Sequence, residues 1–254
     1  MRKAFCLGLF AVAALVVVAE EPRGTLVAVG GGATPDGLHR RMIELGGGTD
    51  VNVLVIPQAS EAKDAGDPSV KAFREAGATR VSILTTNDTQ AALDSVRSAR
   101  VIWMPGGDQS HLMQALKRLG VVEAIRQRYH QGAVVGGTSA GAAVISKVMI
   151  TGNPKSKEAG AVPPISDGLG LWPEVIVDQH FVKRSREPRL RAAVHAHPDL
   201  VGVGIDEATG VILRGSEFEV FGQSTVTVVQ ETAKGGQELT ILHAGKRFDA
   251  GPKK

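Results

Sequence analysis

The sequence predicts an α/β protein with a doubly wound, mostly parallel sheet and a C-terminal antiparallel extension. From residue 25 to about residue 170, apolar runs rich in β-branched residues alternate with amphipathic stretches. Continuous apolar runs are typical of strands buried on both faces, and their alternation with helices favours right-handed parallel crossovers. Beyond Gly170 the runs become shorter and are separated by turns, as in antiparallel strands. We expect residues 20–254 to form one domain.

Each predicted element follows from its local pattern. The parallel strands are apolar runs at residues 25–29, 51–56, 81–84, 101–104 and 133–135. Helical spacing of apolar residues, with Asp88 and Asp108 as N-caps, predicts helices between them. These helices cover residues 69–76, 89–99, 111–119 and 121–129. The antiparallel strands are predicted at residues 200–205, 211–213, 218–221, 225–229 and 239–242.

The first residues have the layout of a secretory signal peptide. Arg2 and Lys3 precede an apolar run over residues 4–18, and small residues lie around Ala19. We expect residues 1–19 to be cleaved near Ala19, which would leave a secreted or periplasmic chain. An uncleaved N-terminal anchor is the alternative. The run is short for a transmembrane helix, so we expect no membrane association after cleavage.

Composition argues against several classes of partner. The formal net charge is +3, and the loss of Arg2 and Lys3 with the signal peptide lowers it to about +1. Net charge therefore gives no support to a nucleic-acid partner. The single cysteine, Cys6, leaves with the same segment. We expect the mature chain to lack disulfides, a thiol nucleophile and a cysteine metal site. No sequence feature predicts a cofactor.

A candidate nucleophile lies in a Gly-x-Ser-x-Gly turn, Gly137-Thr138-Ser139-Ala140-Gly141. The turn follows a predicted strand and opens a predicted helix of small residues over residues 140–146, which is the context that this motif requires. We expect Ser139 to be the nucleophile, with the amide of Ala140 at the helix N-terminus donating to an oxyanion. A glycine-rich turn with a capping serine is the alternative.

A second turn, Pro105-Gly106-Gly107-Asp108-Gln109, ends the preceding predicted strand. Carboxyl ends of parallel strands meet at one edge of a sheet, so this turn is expected near Ser139. The amide of Gly107 is a candidate second oxyanion donor, and Gln109 is a candidate for orienting the substrate. A simple turn with a helix cap is the alternative.

Among seven histidines, His180 is the candidate general base. It follows an apolar run at residues 174–177, so it is expected at a strand end, on the same sheet edge as Gly107 and Ser139. Arg184, Arg186 and Arg189 follow it, and arginines bind carboxylates through paired hydrogen bonds. The alternative is a solvated basic helix start.

A serine–histidine pair needs a third group that holds the imidazole tautomer. Glu207 follows another apolar run and is our candidate. Its neighbour Asp206 is expected to point the other way. Glu158 and Asp167, which lie between Ser139 and His180 in the chain, are the competing acids.

Three of these segments resemble the cyanophycinases, in the serine peptidase family that also contains the aspartyl dipeptidase peptidase E. The segments are residues 136–142, residues 106–109, and Asp178-Gln179-His180-Phe181 with its three arginines. The resemblance extends over about residues 25–210. It implies the fold of class I glutamine amidotransferases and a serine nucleophile with a histidine, an acidic residue and no metal.

Carried over by position, the resemblance makes Ser139 the nucleophile, His180 the base and Glu207 the acidic residue. It also implies a substrate pocket formed by Gln109, Asp178, Gln179, Arg184, Arg186 and Arg189. Cyanophycin is a polyaspartate backbone with arginine joined to each β-carboxyl group. The resemblance therefore implies a peptide substrate rich in aspartate and arginine, cut to β-Asp-Arg dipeptides. A homodimer is a further possibility.

Three other functions remain open from the sequence. A dipeptidase like peptidase E, acting on aspartyl or β-aspartyl dipeptides, would use the same catalytic residues. An esterase of the α/β-hydrolase class is disfavoured, because the acidic residue of that class normally precedes the histidine. An amidotransferase-like binding module would retain the turn around Ser139 without catalysis.

Overall fold

The computed structural model describes residues 24–156, 158 and 160–251. The predicted signal peptide at residues 1–19 lies outside the described residues. Up to residue 150 the elements, in chain order, are β1 (Thr25–Val29), α1 (Leu38–Gly46), β2 (Asn52–Val55), α2 (Asp67–Glu75), β3 (Arg80–Ile83), α3 (Thr89–Ser98), β4 (Val101–Met104), α4 (Gln109–Arg118), α5 (Val122–His130), β5 (Val134–Thr138), α6 (Ala140–Ala143) and β6 (Val148–Ile150). The later elements are β7 (Ile165–Asp167), β8 (Val175–Gln179), α7 (Glu187–Ala196), β9 (Val201–Ile205), β10 (Thr209–Arg214), β11 (Glu217–Gly222), β12 (Val226–Glu231), β13 (Gln237–Leu242) and β14 (Arg247–Asp249).

The predicted mixed α/β fold is confirmed, and its centre is an eight-stranded sheet with the order β14-β11-β10-β1-β5-β4-β2-β3. Within this sheet, each adjacent pair in the series β1-β5-β4-β2-β3 is parallel. The other three extend the sheet from β1 with antiparallel pairing. The parallel strands are the apolar runs predicted from the sequence, and β5 continues through the glycines as far as Thr138.

Helices cover both faces of this sheet, as in a doubly wound fold. On one face α1 and α2 bury Met42 and Phe73 against Trp103. On the other face α3, α4 and α5 belong to a larger core that includes Leu112 and Ile125. Sequence periodicity predicted the other helices around these strands but missed α1.

A second sheet, with the order β13-β12-β9-β8, contributes to the larger core. Within it β8 and β9 are parallel, whereas β9–β12 and β12–β13 are antiparallel. The chain passes from this sheet back to the central one between Ile205 and Thr209, where β9 ends and β10 begins. The predicted antiparallel extension is thus divided between two sheets.

The helix that opens after Ser139 is shorter than predicted. It was expected over residues 140–146, but α6 ends at Ala143. The carbonyl of Val144 accepts a hydrogen bond from the amide of Leu169, and that of Ile145 accepts one from Leu171. These carbonyls bind another segment instead of extending the helix. In the part of the chain that the structure describes, no helix is long and apolar enough to span a membrane.

Candidate active site

Ser139 occupies the sharp turn between β5 and α6. Its backbone is in an unusual conformation for a non-glycine residue, with φ 52° and ψ −112°, and such conformations are typical of functional sites. The amide of Ser139 donates to the carbonyl of Val29 at 3.0 Å, which ties the turn to β1. The Ser139 hydroxyl makes no capping hydrogen bond to α6. The side chain is therefore directed to another partner.

That partner is His180. Ser139 Oγ lies 2.9 Å from His180 Nε2, and His180 Nδ1 lies 2.6 Å from Glu207 Oε1. An imidazole whose Nδ1–H donates to a carboxylate presents an unprotonated Nε2 toward the hydroxyl, which is the arrangement a general base requires. The His180 side chain is 10% exposed and that of Glu207 is 31% exposed. The imidazole is thus largely shielded from water, whereas the carboxylate is partly exposed.

Of the three candidate acids, Glu207 is the one whose carboxylate contacts His180. Asp167 lies in β7, where it pairs with Val148 of β6. Glu158 is exposed, and its amide donates to Ser156 Oγ. Among the described residues, neither of these two carboxylates has a hydrogen bond to the imidazole.

The three side chains follow strands of two different sheets, so the predicted position of one strand was wrong. The sequence places an apolar run before His180, and we expected its strand at the same sheet edge as Gly107 and Ser139. Instead, β8 belongs to the second sheet, next to β9. His180 and Glu207 follow the adjacent carboxyl ends of these two strands. An apolar run indicates a buried strand but does not indicate which strand it pairs with.

The Gly106-Gly107 turn lies beside the nucleophile, as predicted. A Cβ on Gly106 would lie 3.4 Å from Ser139 Cβ. Gly107 has φ +146°, and a Cβ there would collide with the carbonyl oxygen of Ala59 at 2.2 Å. Within the described residues, the amide of Gly107 has no hydrogen-bond acceptor. Ala140 is the first residue of α6, a position whose N–H has no partner within the helix.

The same turn also caps a helix, which was the alternative interpretation from the sequence. Asp108 is the N-cap of α4, and its side chain accepts a hydrogen bond from the amide of His111. Gln109, predicted to orient the substrate, uses its side-chain nitrogen to donate to the carbonyl of Ile150 at 2.9 Å. Gln109 therefore connects the start of α4 to the end of β6.

Four of the six predicted pocket residues form one hydrogen-bonded cluster: Asp178, Gln179, Arg186 and Arg189. Asp178 is 1% exposed, and Arg189 binds it through both Nε and Nη2. Arg189 Nη1 also donates to the carbonyl of Gly152 and to the side chain of Asn153. The guanidinium thus uses most of its donors inside the protein. The solvated basic helix start considered from the sequence does not describe Arg189.

Arg186 is also drawn into the cluster, whereas Arg184 is exposed. Arg186 Nη1 donates to the backbone carbonyl and the side-chain oxygen of Gln179, at 2.6 and 2.5 Å. Burial, together with the positive charge of Arg189, lowers the pKa of Arg186 to about 10, although Asp178 opposes this shift. The guanidinium is still charged at neutral pH.

One contact of the site was missed from the sequence, and the partners of Asp206 were not predicted. Gly31 and Gly32 pack against His180 and Glu207, respectively, and their only sequence signal was a triple glycine after an apolar run. Asp206 is buried, and its carboxylate accepts hydrogen bonds from the amide of Lys183 and the hydroxyl of Ser224. Burial alone would raise the pKa of Asp206, but these and neighbouring backbone hydrogen bonds hold it below its usual value.

Thr138, next to the nucleophile, provides a test of packing in the turn. Its buried Oγ1 has no hydrogen-bond partner among the described residues. We expect Thr138→Val to leave the free energy of unfolding unchanged, or to raise it by about 0.5–1 kcal/mol, because valine keeps the shape and removes an unsatisfied group. Denaturant unfolding measures this change.

Thr209→Val is the matched control. Thr209 Oγ1 accepts from the amide of Ser224 at 2.8 Å and donates to the carbonyl of Glu207 at 3.2 Å. Its loss is expected to cost about 1–3 kcal/mol. Equal destabilisation by both substitutions would show that Thr138 Oγ1 has a partner in solution.

The doubly wound sheet and the serine–histidine–carboxylate arrangement are those of a hydrolase of the serine type. Residues 26–221 match the family model described as "Peptidase family S51". The chain therefore belongs to peptidase family S51 and is a serine-type peptidase.

The sequence relatives include cyanophycinases and peptidases E. The chain is 38% identical to "Cyanophycinase" of Geminocystis herdmanii, over 88% of this chain and 85% of that protein. It is 39% identical to "Cyanophycinase" of a Nostoc species, over 82% of this chain and 74% of the relative. "Peptidase E" of Salmonella arizonae is 28% identical over 62% of this chain and 69% of its own length. The resemblance drawn from the motifs is confirmed.

Solved structures support the fold. A peptidase from an acI-B1 Actinobacterium superposes with a TM-score of 0.67 at 24% identity, covering 89% of this chain and 96% of that one. A putative peptidase E protein from Listeria monocytogenes superposes with a TM-score of 0.58 at 21% identity, covering 79% and 99%.

Proposed function

We propose that this chain is an exopeptidase that hydrolyses the polyaspartate backbone of cyanophycin and releases β-Asp-Arg dipeptides. The observation that carries the catalytic part is the hydrogen-bonded series from Ser139 Oγ through His180 to Glu207. The substrate part is supported by the relatives named cyanophycinase, at 37–39% identity.

The geometry supports acyl transfer through a seryl-enzyme. Ser139 Oγ attacks the carbonyl carbon of the scissile amide while His180 Nε2 takes the hydroxyl proton. The amides of Gly107 and Ala140 would donate to the oxyanion of the tetrahedral intermediate. When the C–N bond breaks, His180 gives its proton to the leaving amine. Water then repeats the sequence on the ester and releases the carboxylic acid from Ser139.

The cationic groups near His180 suit a substrate that carries carboxylates. Arg186 uses Nη1 within the protein, and Arg184 is exposed in the turn that follows His180. Guanidinium groups bind carboxylates with directional, charge-assisted hydrogen bonds. Buried Asp178 and Arg189 are bonded to each other and hold the segment that carries Arg186, whose side chain is 11% exposed. We propose that Gln109, Gln179, Arg184 and Arg186 line the substrate pocket, with Asp178 and Arg189 supporting it from behind.

Hydrolysis of short aspartyl or β-aspartyl dipeptides is the second candidate. It is supported by the matches to peptidase E, at 24–28% identity. The same Ser139, His180 and Glu207 would serve it, so the two candidates differ only in the extent of the pocket. We also propose export of the chain, on the layout of residues 1–19 alone.

An assay of the chain from Glu20 onward distinguishes the candidates. We expect release of β-Asp-Arg dipeptides from insoluble cyanophycin without intermediate oligomers, because an exopeptidase cuts successively from one end. Mass spectrometry of the soluble products measures this. Polyaspartate without arginine is the control substrate and should remain intact.

Other outcomes assign the protein differently. Cleavage of Asp-X or β-Asp-X dipeptides without release from the polymer would favour the dipeptidase. A ladder of intermediate oligomers would contradict the exopeptidase. No turnover of any of these substrates would contradict both candidates.

A further inference from the structure

A loop for which the sequence analysis predicted no role contacts both His180 and Glu207. This loop, called the glycine loop here, consists of Gly30, Gly31 and Gly32 and connects β1 to the segment before α1. The amide of His180 donates to the carbonyl of Gly30 at 2.6 Å, and the amide of Ala208 donates to the carbonyl of Gly31 at 3.0 Å. The glycine loop therefore binds the backbones of two turns, the one after β8 that carries His180 and the one after β9 that carries Glu207.

The contact with the imidazole leaves no room for a side chain. A Cβ on Gly31 would lie 2.3 Å from Cε1 and 2.5 Å from Nε2 of His180. Gly31 also has φ +103°, a conformation that residues with a Cβ rarely adopt. The backbone of Gly31 therefore packs against the ring, beside the nitrogen that contacts Ser139 Oγ.

The contact with the acid is similar but looser. A Cβ on Gly32 would lie 3.0 Å from Glu207 Cβ and 3.2 Å from its Oε2. Gly32 has φ +68° and is exposed. A methyl group there would require Glu207 to shift by a few tenths of an ångström, because those distances are below ordinary van der Waals contact.

The two turns that the loop holds are themselves unusual. His180 has φ 48° and Ala208 has φ 52°. Non-glycine residues populate this left-handed region sparsely, and they persist there when the surrounding structure holds them. The hydrogen bonds from the glycine loop act on these two residues, one at the base and one directly after Glu207.

We propose that the glycine loop positions the catalytic pair, with Gly31 fixing the imidazole of His180 and Gly32 fixing the carboxylate of Glu207. The proposal rests on the catalytic roles assigned above to Ser139, His180 and Glu207. Glycine is required at residue 31 for two reasons. The His180 ring occupies the space that a Cβ would fill, and the backbone has a positive φ that residues with a Cβ rarely adopt. Displacement of reacting groups by about 1 Å lowers rates on the order of 100-fold.

Two pairs of variants separate positioning from backbone strain. Gly48 has φ +107° with nothing within 4 Å of its Cβ position, so Gly48→Ala matches the strain of Gly31→Ala without touching the site. Gly37, with φ +74° and nothing within 4 Å, is the same control for Gly32. Each pair thus differs in whether the added methyl group meets the base or the acid.

We expect Gly31→Ala to lower kcat by about 100-fold or more, with KM within about threefold of the original value. Gly32→Ala should lower kcat by about tenfold, because its neighbour needs a smaller shift. Both losses are relative to the matched controls, Gly48→Ala and Gly37→Ala. The rate at which a fluorophosphonate labels Ser139 should fall by similar factors, since this reaction reports activation of the nucleophile without using a peptide.

Equal kcat and equal labelling rates within each pair would overturn the proposal. If Gly31→Ala does not fold, as judged by circular dichroism, the pair of Gly32 and Gly37 decides alone. The labelling rate also separates this proposal from the substrate assignment. A chain that labels at Ser139 but leaves cyanophycin intact would contradict the proposed substrate, and the comparison of variants would still stand.

Discussion

Replacing Ser139 with alanine is expected to lower kcat on the order of 10⁴- to 10⁶-fold while leaving the protein folded. Ser139 Oγ is the hydroxyl that lies 2.9 Å from His180 Nε2, so its loss removes the atom that would form the acyl-enzyme. The substitution removes one oxygen from a side chain that makes no capping hydrogen bond. Kinetics on the peptide substrate and loss of fluorophosphonate labelling measure the effect.

The partners of Ser139 should respond as a unit. His180→Ala is expected to cost about as much as Ser139→Ala, and the double variant hardly more, because residues that act in one step give non-additive losses. Glu207→Gln should lower kcat by about 10² to 10⁴, since glutamine favours the wrong imidazole tautomer. Retained activity in Ser139→Ala would contradict the serine mechanism at this residue.

Glu158→Gln and Asp167→Asn are the controls for the acid. Both carboxylates belong to the chain segment between Ser139 and His180, and both are exposed. Neither has a hydrogen bond to the imidazole within the described residues. We expect kcat within about twofold for both variants, because neither carboxylate has a hydrogen bond to the imidazole and exposed substitutions outside such contacts usually change free energies by about 0.5 kcal/mol or less. A loss in either that equals the loss in Glu207→Gln would move the acidic role to that residue.

The sequence predicts those parts of the site whose signal is local. The position of Ser139 in a turn between a strand and a helix was predictable because all three elements follow one another within about a dozen residues. The position of Gly107 near Ser139 was also predictable, because β4 and β5 are parallel neighbours and their carboxyl ends meet at one edge of the sheet. The parallel strands themselves were predictable from continuous apolar runs.

Long-range pairing was not predictable from those patterns. Nothing in the run before His180 indicates that β8 pairs with β9 rather than with a strand of the central sheet. The contact between Gly31 and the imidazole joins residues far apart in the chain, and a triple glycine alone indicates only a turn. The sequence predicted a group of arginines that bind carboxylates. It could not predict that Arg189 is buried against Asp178, because that contact depends on how α7 packs on β8.

That burial leads to a large expected effect on stability. Arg189→Met should lower the free energy of unfolding by about 3–5 kcal/mol, because it leaves the carboxylate of Asp178 buried without its paired guanidinium. Asp178 is 1% exposed and the Arg189 side chain is 7% exposed. Arg186 lies 3.5 Å from Asp178 and compensates only in part. Denaturant unfolding with an unchanged m-value measures the loss.

Arg191→Met is the matched control on the same helix. Its ion pair with Glu187, at 3.4 Å, joins side chains that are about half exposed, and exposed pairs contribute on the order of 0–1 kcal/mol. The double variant Asp178→Asn with Arg189→Met should recover part of the stability lost in Arg189→Met, since it removes the unpaired charge as well. If Arg189→Met cost no more than Arg191→Met, the Asp178–Arg189 pair would not be holding α7 against β8. In that case Arg189 would be free for substrate, as the sequence alone suggested.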